Sequence, residues 1–209
     1  MKIELLTSHS ALEDMERFAA LAALTCHDNT AKMNSEGYKP SDTLKHIIKM
    51  KHESILEHIN LTFSVKELSR ACLQELARHR HISLSVESTR HTLKQQLKLG
   101  EEGNAIYLPL DISFELAQII GKYLILLVDF VRTYPNVSND IFKYAIPECV
   151  KTNLILTTNI RSLRHIIELR TAPAALEEFQ NLARGLFEAV PQEFQYLLED
   201  CVCREEVKA

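Results

Sequence analysis

The chain has 209 residues, 46% of them hydrophobic and 25% charged, with five glycines, six prolines and a formal net charge of −4. That length supports one substantial core, expected as a single domain over 1–209, and the composition excludes a disordered or collagen-like chain. The acidic balance argues against a general nucleic-acid binder, which needs a long basic stripe, but leaves room for a local phosphate site.

Residues 2–7 predict a short strand, and Leu12, Met15, Phe18, Ala19 and Ala22 predict a helix over 11–25. The opening "MKIELLTSHS" is too short and too polar for a secretory leader. Residues 26–41 carry Asp28, Asn29, Asn34, Gly37 and Pro40 and are expected to form a long loop, of a length that usually serves a purpose. Ser41 is the expected cap of a helix running to about Lys51. From His58 the period falls to two, with Ile59, Leu61, Phe63 and Val65 on one side, which predicts a half-buried strand. Residues 67–81 return to helical spacing through Leu68, Cys72, Leu76 and Ala77. That helix is expected to break in "HISLS", where β-branched and hydroxyl side chains compete with helical hydrogen bonding.

The polar "KLGEEGN" precedes a long helix over about 112–133. Its most apolar part, 119–131, contains Lys122 and Asp129 and is too short for a membrane span, so a core helix is expected. A "TYPNVSND" turn, a short helix ending before Pro147 and an alternating strand over 150–158 follow. Asn159 is the expected cap of a helix over 159–170, and two helices over about 173–189 and 192–199 close the chain, the second started by Pro191. Helices mixed with a few strands make the fold class α+β. The five cysteines form no CxxC pair, as expected of free thiols in a reducing, cytoplasmic setting.

The stretch "ELARHRHISLSVESTRHTL" crowds Arg78, His79, Arg80, His81, Arg90 and His91 around Ser83, Ser85, Ser88 and Thr89. A cationic last turn favoured by the helix dipole accounts for part of it. Guanidinium groups beside hydroxyls and backbone N–H groups are also what a phosphate requires, because arginine gives bidentate, charge-assisted bonds. A metal is a poorer fit, since clustered arginines repel it. "KHESILEH" offers His52, Glu53, Glu57 and His58, with His46 upstream, in a spacing that matches no compact zinc motif; the turn there is equally suited to holding a ligand ring against Ile55 and Leu56. "NIRSLRHIIELR" puts Arg161 and His165 four apart on one helix face and Arg170 at the end, either as a basic helix end or as a ligand arm. No GxGxxG, P-loop or GxSxG occurs, and Cys72 falls on the apolar face of its helix. A protein that binds phosphorylated planar ligands without its own nucleophile fits a cofactor enzyme, in which the cofactor supplies the chemistry.

Arg78-His79-Arg80, Ser83, Ser88 and Arg90, followed by His91, match RHRxxSxxxxSxR plus an aromatic residue. With "KHESILEHINLTFSV" (51–65), "YAIPE" (144–148) and "TTNIRSLRHIIELR" (157–170), the chain resembles the flavin-dependent thymidylate synthases over roughly 46–198. The resemblance implies an α+β domain with a small, mostly antiparallel sheet, in a homotetramer whose active sites are shared between subunits. It implies conversion of dUMP to dTMP, with methylenetetrahydrofolate as carbon donor and FAD, reduced by NADPH, as hydride source. Carried over by position, Arg78, His79, Arg80, His81, His52, Ser54, Asn159, Arg161 and His165 belong to the flavin site. Gln74, Ser85, Val86, Glu87, Ser88, Thr89, Arg90, Lys143 and Arg170 belong to the dUMP site, with Ser88 and Arg90 on the phosphate of a neighbouring subunit's substrate. Ser88 and Arg170 are the implied catalytic residues, Arg170 polarising the pyrimidine; no metal, nucleic acid or membrane is implied.

Four departures from the family pattern bear on substrate handling. Ser85-Val86 stands where Asn-Glu is common, leaving Glu87 to supply a carboxylate one place later, and His91 replaces the usual Tyr or Phe. His165 stands where Asn is common, and an AQxE-like run is diluted to Ala175-Leu176-Glu177-Glu178. These motivate an alternative, a divergent relative that keeps FAD and nucleotide binding but has altered chemistry. A nucleic-acid module with steep salt dependence and a metal-dependent phosphohydrolase using His46, His52 and His58 rank lower.

Overall fold

The computed structural model describes residues 1–99 and 105–203. Strands β1 (Lys2–Leu5), β2 (Asn60–Ser69), β3 (Ile82–Val86) and β4 (Lys151–Asn159) form one antiparallel sheet in the order β1-β2-β4-β3. The register of the central pair follows from its alternation: Phe63 lies opposite Leu156 and Val65 opposite Leu154, all buried on one face. A slip of one residue would expose that whole set, so the hydrophobic pattern holds the register. Helices α1 (His9–Thr25), α2 (Pro40–Lys49), α3 (Arg70–Leu76), α7 (Ile160–Arg170) and α8 (Glu177–Glu188) pack around the sheet. Their contributions Leu12, Leu44, Leu163 and Phe179 meet Phe63 and Leu156 in the main core. A second, smaller cluster of Leu93, Leu127 and Phe142 joins α4 (Thr89–Leu99), α5 (Phe114–Thr133) and α6 (Asn139–Phe142). Short 3₁₀ turns at Thr30–Asn34, Glu53–His58, Lys143–Ala145, Gln192–Leu197 and Glu199–Cys201 complete the described chain.

The two long strands and the helices over 9–25, 114–133 and 160–170 stand where the sequence predicts them, and Asn159 caps α7 by accepting from the Ser162 N–H at 2.8 Å. Elsewhere the chain departs from expectation. α2 starts at Pro40, whose fixed φ suits the first helical position, so Ser41 lies inside the helix and does not cap it. The predicted helix 67–81 is shorter than expected. β2 continues through a bulge between Val65 and Leu68, where Glu67 adopts φ +64° and donates its N–H to Asn153 Oδ1 at 3.0 Å. Ser69 then caps α3, which ends at Leu76. "HISLS" is the edge strand β3, and 89–99 is a helix that the sequence pattern does not announce. The "KLGEEGN" segment lies mostly outside the described residues. Helix α8 begins only at Glu177, after a turn through Pro173, and 192–197 is 3₁₀.

The expected core helix over 119–131 is corrected. Helix α5 buries only Leu127; Phe114 is 72% exposed, Ile119 62%, Ile125 62% and Leu126 66%. It is apolar on most of its circumference, but among the described residues only the side towards Leu93 and Phe142 finds an apolar partner. Among the described residues no helix is long and apolar enough to cross a membrane.

Candidate cofactor and nucleotide site

Because β3 runs antiparallel to β4, the start of one lies beside the end of the other, with Ile82 opposite Thr158. The residues just before Ile82 are Arg78, His79, Arg80 and His81; the residues just after Thr158 are Asn159 and the first turn of α7. The topology therefore brings the two sequence clusters to one sheet end, around a cleft of about 470 Å³. Arg78 to His81, Asn159, Arg161 and His165 line it, with Ser162, which the sequence reasoning missed, and Glu57, which it singled out in "KHESILEH" without assigning to this site. His81 turns the corner into β3 at φ +60°, a left-handed conformation that is costly for a non-glycine residue and is concentrated at functional sites.

The cleft is cationic. Arg161 is hydrogen-bonded to Glu57, Arg78 lies 3.6 Å from Glu75, and Arg80 has no ion pair or hydrogen bond among the described residues. The N-terminus of α7 opens onto the same space, so its helix dipole adds to the guanidinium charge, while the Ile160 and Ser162 N–H groups are already taken by the Ile59 carbonyl and Asn159 Oδ1.

Arg170, at the far end of α7, is 16% exposed in its side chain. Its Nε donates to His79 Nε2 at 3.0 Å, its Nη1 donates to Glu75 Oε2 at 3.0 Å, and the guanidinium lies 4.5 Å from the centre of the buried Phe179 ring. Burial, and then the charge of Arg170, pull the His79 pKa down to about 4. Cys72 is fully buried, and burial with the nearby Glu178 pushes its thiol up, the reverse of an activated nucleophile.

The second group gathers at the opposite end of β3. Ser85 and Val86 are exposed on the strand, and Ser88 sits at the corner into α4, its carbonyl accepting from the His91 and Thr92 N–H groups at 3.0 and 3.1 Å. Arg90 Nε and Nη2 both lie 3.0 Å from Asp140 Oδ2, and Lys143 Nζ lies 3.6 Å from the same carboxylate. The hydrogen bond from Arg90 holds the Asp140 carboxyl below its usual range. Thr89 lies between these groups in sequence, and Glu87 accepts from Asn153 Nδ2 at 2.7 Å, which directs its carboxylate along the sheet. Gln74 donates to Glu148 at 2.6 Å.

Other expected positions fall apart from the cleft. His52 lines a separate groove of about 590 Å³ with His46 and Tyr38, between α2 and the loop after α1. Ser54 is exposed in the 3₁₀ turn Glu53–His58, and Ile55 and Leu56 are buried in the core, so they offer no wall to a ligand ring. Among the described residues no group of three His, Cys, Asp or Glu side chains is placed to hold a metal ion.

The chain is an α+β protein whose small antiparallel sheet carries a cationic cleft at one end and an Arg–Lys pair at the other. The model of the "Thymidylate synthase complementing protein" family matches residues 5–194. The flavin-dependent thymidylate synthase of Campylobacter jejuni (strain RM1221) is 43% identical over 193 residues, covering 88% of this chain and 91% of that protein. The Helicobacter pylori (strain J99) protein of the same name is 38% identical over 198 residues, covering 88% and 93%. The crystal structure of thymidylate synthase X from Helicobacter pylori with FAD and dUMP superposes with a TM-score of 0.84 at 32% identity, covering 98% of this chain and all of that one. The chain belongs to the flavin-dependent thymidylate synthase family.

Proposed function

We propose that the protein, acting as one domain in the cytoplasm, converts dUMP to dTMP by reductive methylation. Methylenetetrahydrofolate supplies the carbon and NADPH reduces the FAD. The observation that carries this is the convergence of Arg78, Arg80 and Arg161 on the N-terminus of α7 in one cleft. That donor set suits the diphosphate and the electron-rich ring edge of a flavin: planar guanidinium groups at a positive helix end, with Glu57 the one carboxylate in the cleft lining. His79, His81, Asn159 and His165 complete the cleft wall; His52 and Ser54, also carried over to the flavin, lie outside that wall, beside and in the 3₁₀ turn that supplies Glu57. The bound flavin supplies hydride chemistry that no side chain here can. Ser88, Arg90 and Lys143 receive the dUMP phosphate, bordered by Gln74, Ser85, Val86, Glu87 and Thr89, and Arg170 polarises the pyrimidine. The anion takes over the place of Asp140 as partner of Arg90.

Strand β3 sets its two ends apart. Five extended residues separate the cleft from the phosphate group by roughly 15 Å. Together with the uncovered apolar side of α5, this supports a homotetramer in which one subunit's phosphate corner serves another's flavin cleft. A second reading, a relative with altered chemistry, is favoured by Glu87, whose hydrogen bond to Asn153 turns its carboxylate along the sheet and leaves Asp140 as the carboxylate beside Arg90.

The test is the absorption of the purified protein with FAD, followed under anaerobic NADPH with and without dUMP. The synthase gives a flavin band that bleaches, faster with dUMP, and then a folate-dependent yield of dTMP. Bleaching without dTMP selects the altered relative, and failure to take up FAD overturns both. Arg90→Ala weakens dUMP about 10- to 100-fold, the worth of one charge-assisted bond, and leaves FAD binding intact.

A further inference from the structure

Arg170 Nε donates to His79 Nε2 at 3.0 Å. A guanidinium has no acceptor lone pair and stays protonated at any pH a folded protein meets, so it can only be the donor in this contact. Nε2 is then the unprotonated nitrogen of a neutral ring, and the ring proton sits on Nδ1. Five groups face this imidazole: Arg170 and His165 from α7, Glu75 and Arg78 from α3 and the turn after it, and Phe179 from α8. Three of the four polar ones are basic, and the fourth, Glu75, is engaged with Arg170 itself. Protonating the ring would remove the acceptor and set two cations 3.0 Å apart.

Arg170 is thus held on three sides, by His79, by Glu75 and by the buried face of Phe179, while its Nη2 has no partner among the described residues. We propose that His79 is a positioning residue, a neutral Nδ1–H imidazole whose Nε2 acts with Glu75 to fix Arg170 so that the spare Nη2 faces the pyrimidine. This rests on the dUMP role of Arg170 proposed above. Nε2 of His79 is accordingly not the proton acceptor in the reaction, although the ring lines the cleft.

The experiment uses FAD-loaded protein labelled with [¹⁵N]histidine, observed in long-range ¹H–¹⁵N spectra from pH 5.5 to 8, with His79→Gln to assign the ring. A neutral Nδ1–H pattern across that range is the expected result. An Nε2–H pattern, or a cationic ring at pH 7, overturns the proposal whatever the protein binds. Calorimetric dUMP titration supplies the functional arm. In His79→Gln a carboxamide oxygen takes the place of Nε2, and affinity stays within about threefold of the parent; His79→Leu has no acceptor and loses about tenfold. Equal losses in the two variants overturn the acceptor role. If His79→Leu does not fold, the parent spectrum and His79→Gln still decide. Parent protein that takes no dUMP at all defeats the functional reading of Arg170, while the ring spectrum still reports its tautomer.

Discussion

Arg164 and Arg170 stand six residues apart on α7 and look alike in the sequence, yet their hydrogen-bonding capacity is used differently. Arg164 is buried with all three nitrogens engaged: Nη1 and Nη2 grip Asp200 at 2.7 Å each, Nη1 also reaches the Leu197 carbonyl at 2.7 Å, and Nε faces Glu53 at 3.4 Å. It is a strut that ties the C-terminal turns to the helix. Replacing Asp200 with Asn leaves Glu53, 3.4 Å from Nε, as the buried guanidinium's remaining carboxylate; because Asp200 is itself half-exposed, the change is expected to cost about 1 kcal/mol of stability without changing FAD affinity. The hydrogen bond from Arg164 lowers the Asp200 pKa in the folded state. The sign then follows: the contribution is complete above about pH 4, the usual aspartate range, and fades as pH falls through the lowered folded value. Urea midpoints at pH 7, 5 and 3 check this. The parent should lose more than Asp200→Asn between pH 5 and 3, and parallel losses would mean that the pair contributes nothing. At this scale the sequence disclosed the basic groups of the site but not their carboxylate partners. Arg78, Arg80 and Arg90 are announced by spacing and signature, whereas Glu57, which meets Arg161 104 residues on, and Asp140, which meets Arg90 from 50 residues away, become partners only through the fold.

At the scale of elements, legibility followed burial. β2 and β4 each carry a strict alternation because one face of the sheet is fully covered, and a period of two survives only where a face is covered. β3 alternates Ile82, Leu84 and Val86 with two serines, but it is a five-residue edge strand with no fully buried member, so it reads as a helix breaker and not as a strand. The bulge after Val65 adds a second disguise, since one extra residue shifts the alternation just where a helical spacing can be traced. The corner at His81 sits between these elements and aims the Arg78–Arg80 group at α7. Its φ of +60° disfavours any Cβ and penalises a branched one most. His81→Val should therefore lose about 1–2 kcal/mol, while His81→Gly should match or exceed the parent's stability and bind FAD less well for want of the side chain. Denaturation midpoints and a flavin titration on both variants separate the two effects. Equal midpoints for Val and Gly would show that the corner stores no strain.

For the whole molecule, the separation of the two groups along β3 and the uncovered side of α5 point to the same arrangement. A side chain set of Phe114, Ile119, Ile125 and Leu126, each more than 60% exposed, is a costly surface for an isolated chain; covering it gains about 25 cal/mol for each Å² of apolar area removed from water. If the phosphate corner of one copy closes over the flavin cleft of another, the two halves of each active site belong to different chains. Subunit complementation tests that division directly. Arg90→Ala disables the phosphate corner and Arg161→Ala the flavin cleft, so each variant alone forms only defective sites. Unfolded together and refolded in equal amounts, they reassort at random, and about a quarter of the sites combine an intact corner with an intact cleft. Activity recovered in the mixture, near a quarter of the parent's, requires shared sites. Mixtures no more active than either variant would mean that each chain completes its own site, and the distance along β3 would then have to be closed by a movement of the Ser88–Arg90 corner. Light scattering separates the cases independently. Shared sites demand a species of several 23.9 kDa chains, and replacing Ile125 and Leu126 with Glu should dissociate it and abolish complementation together.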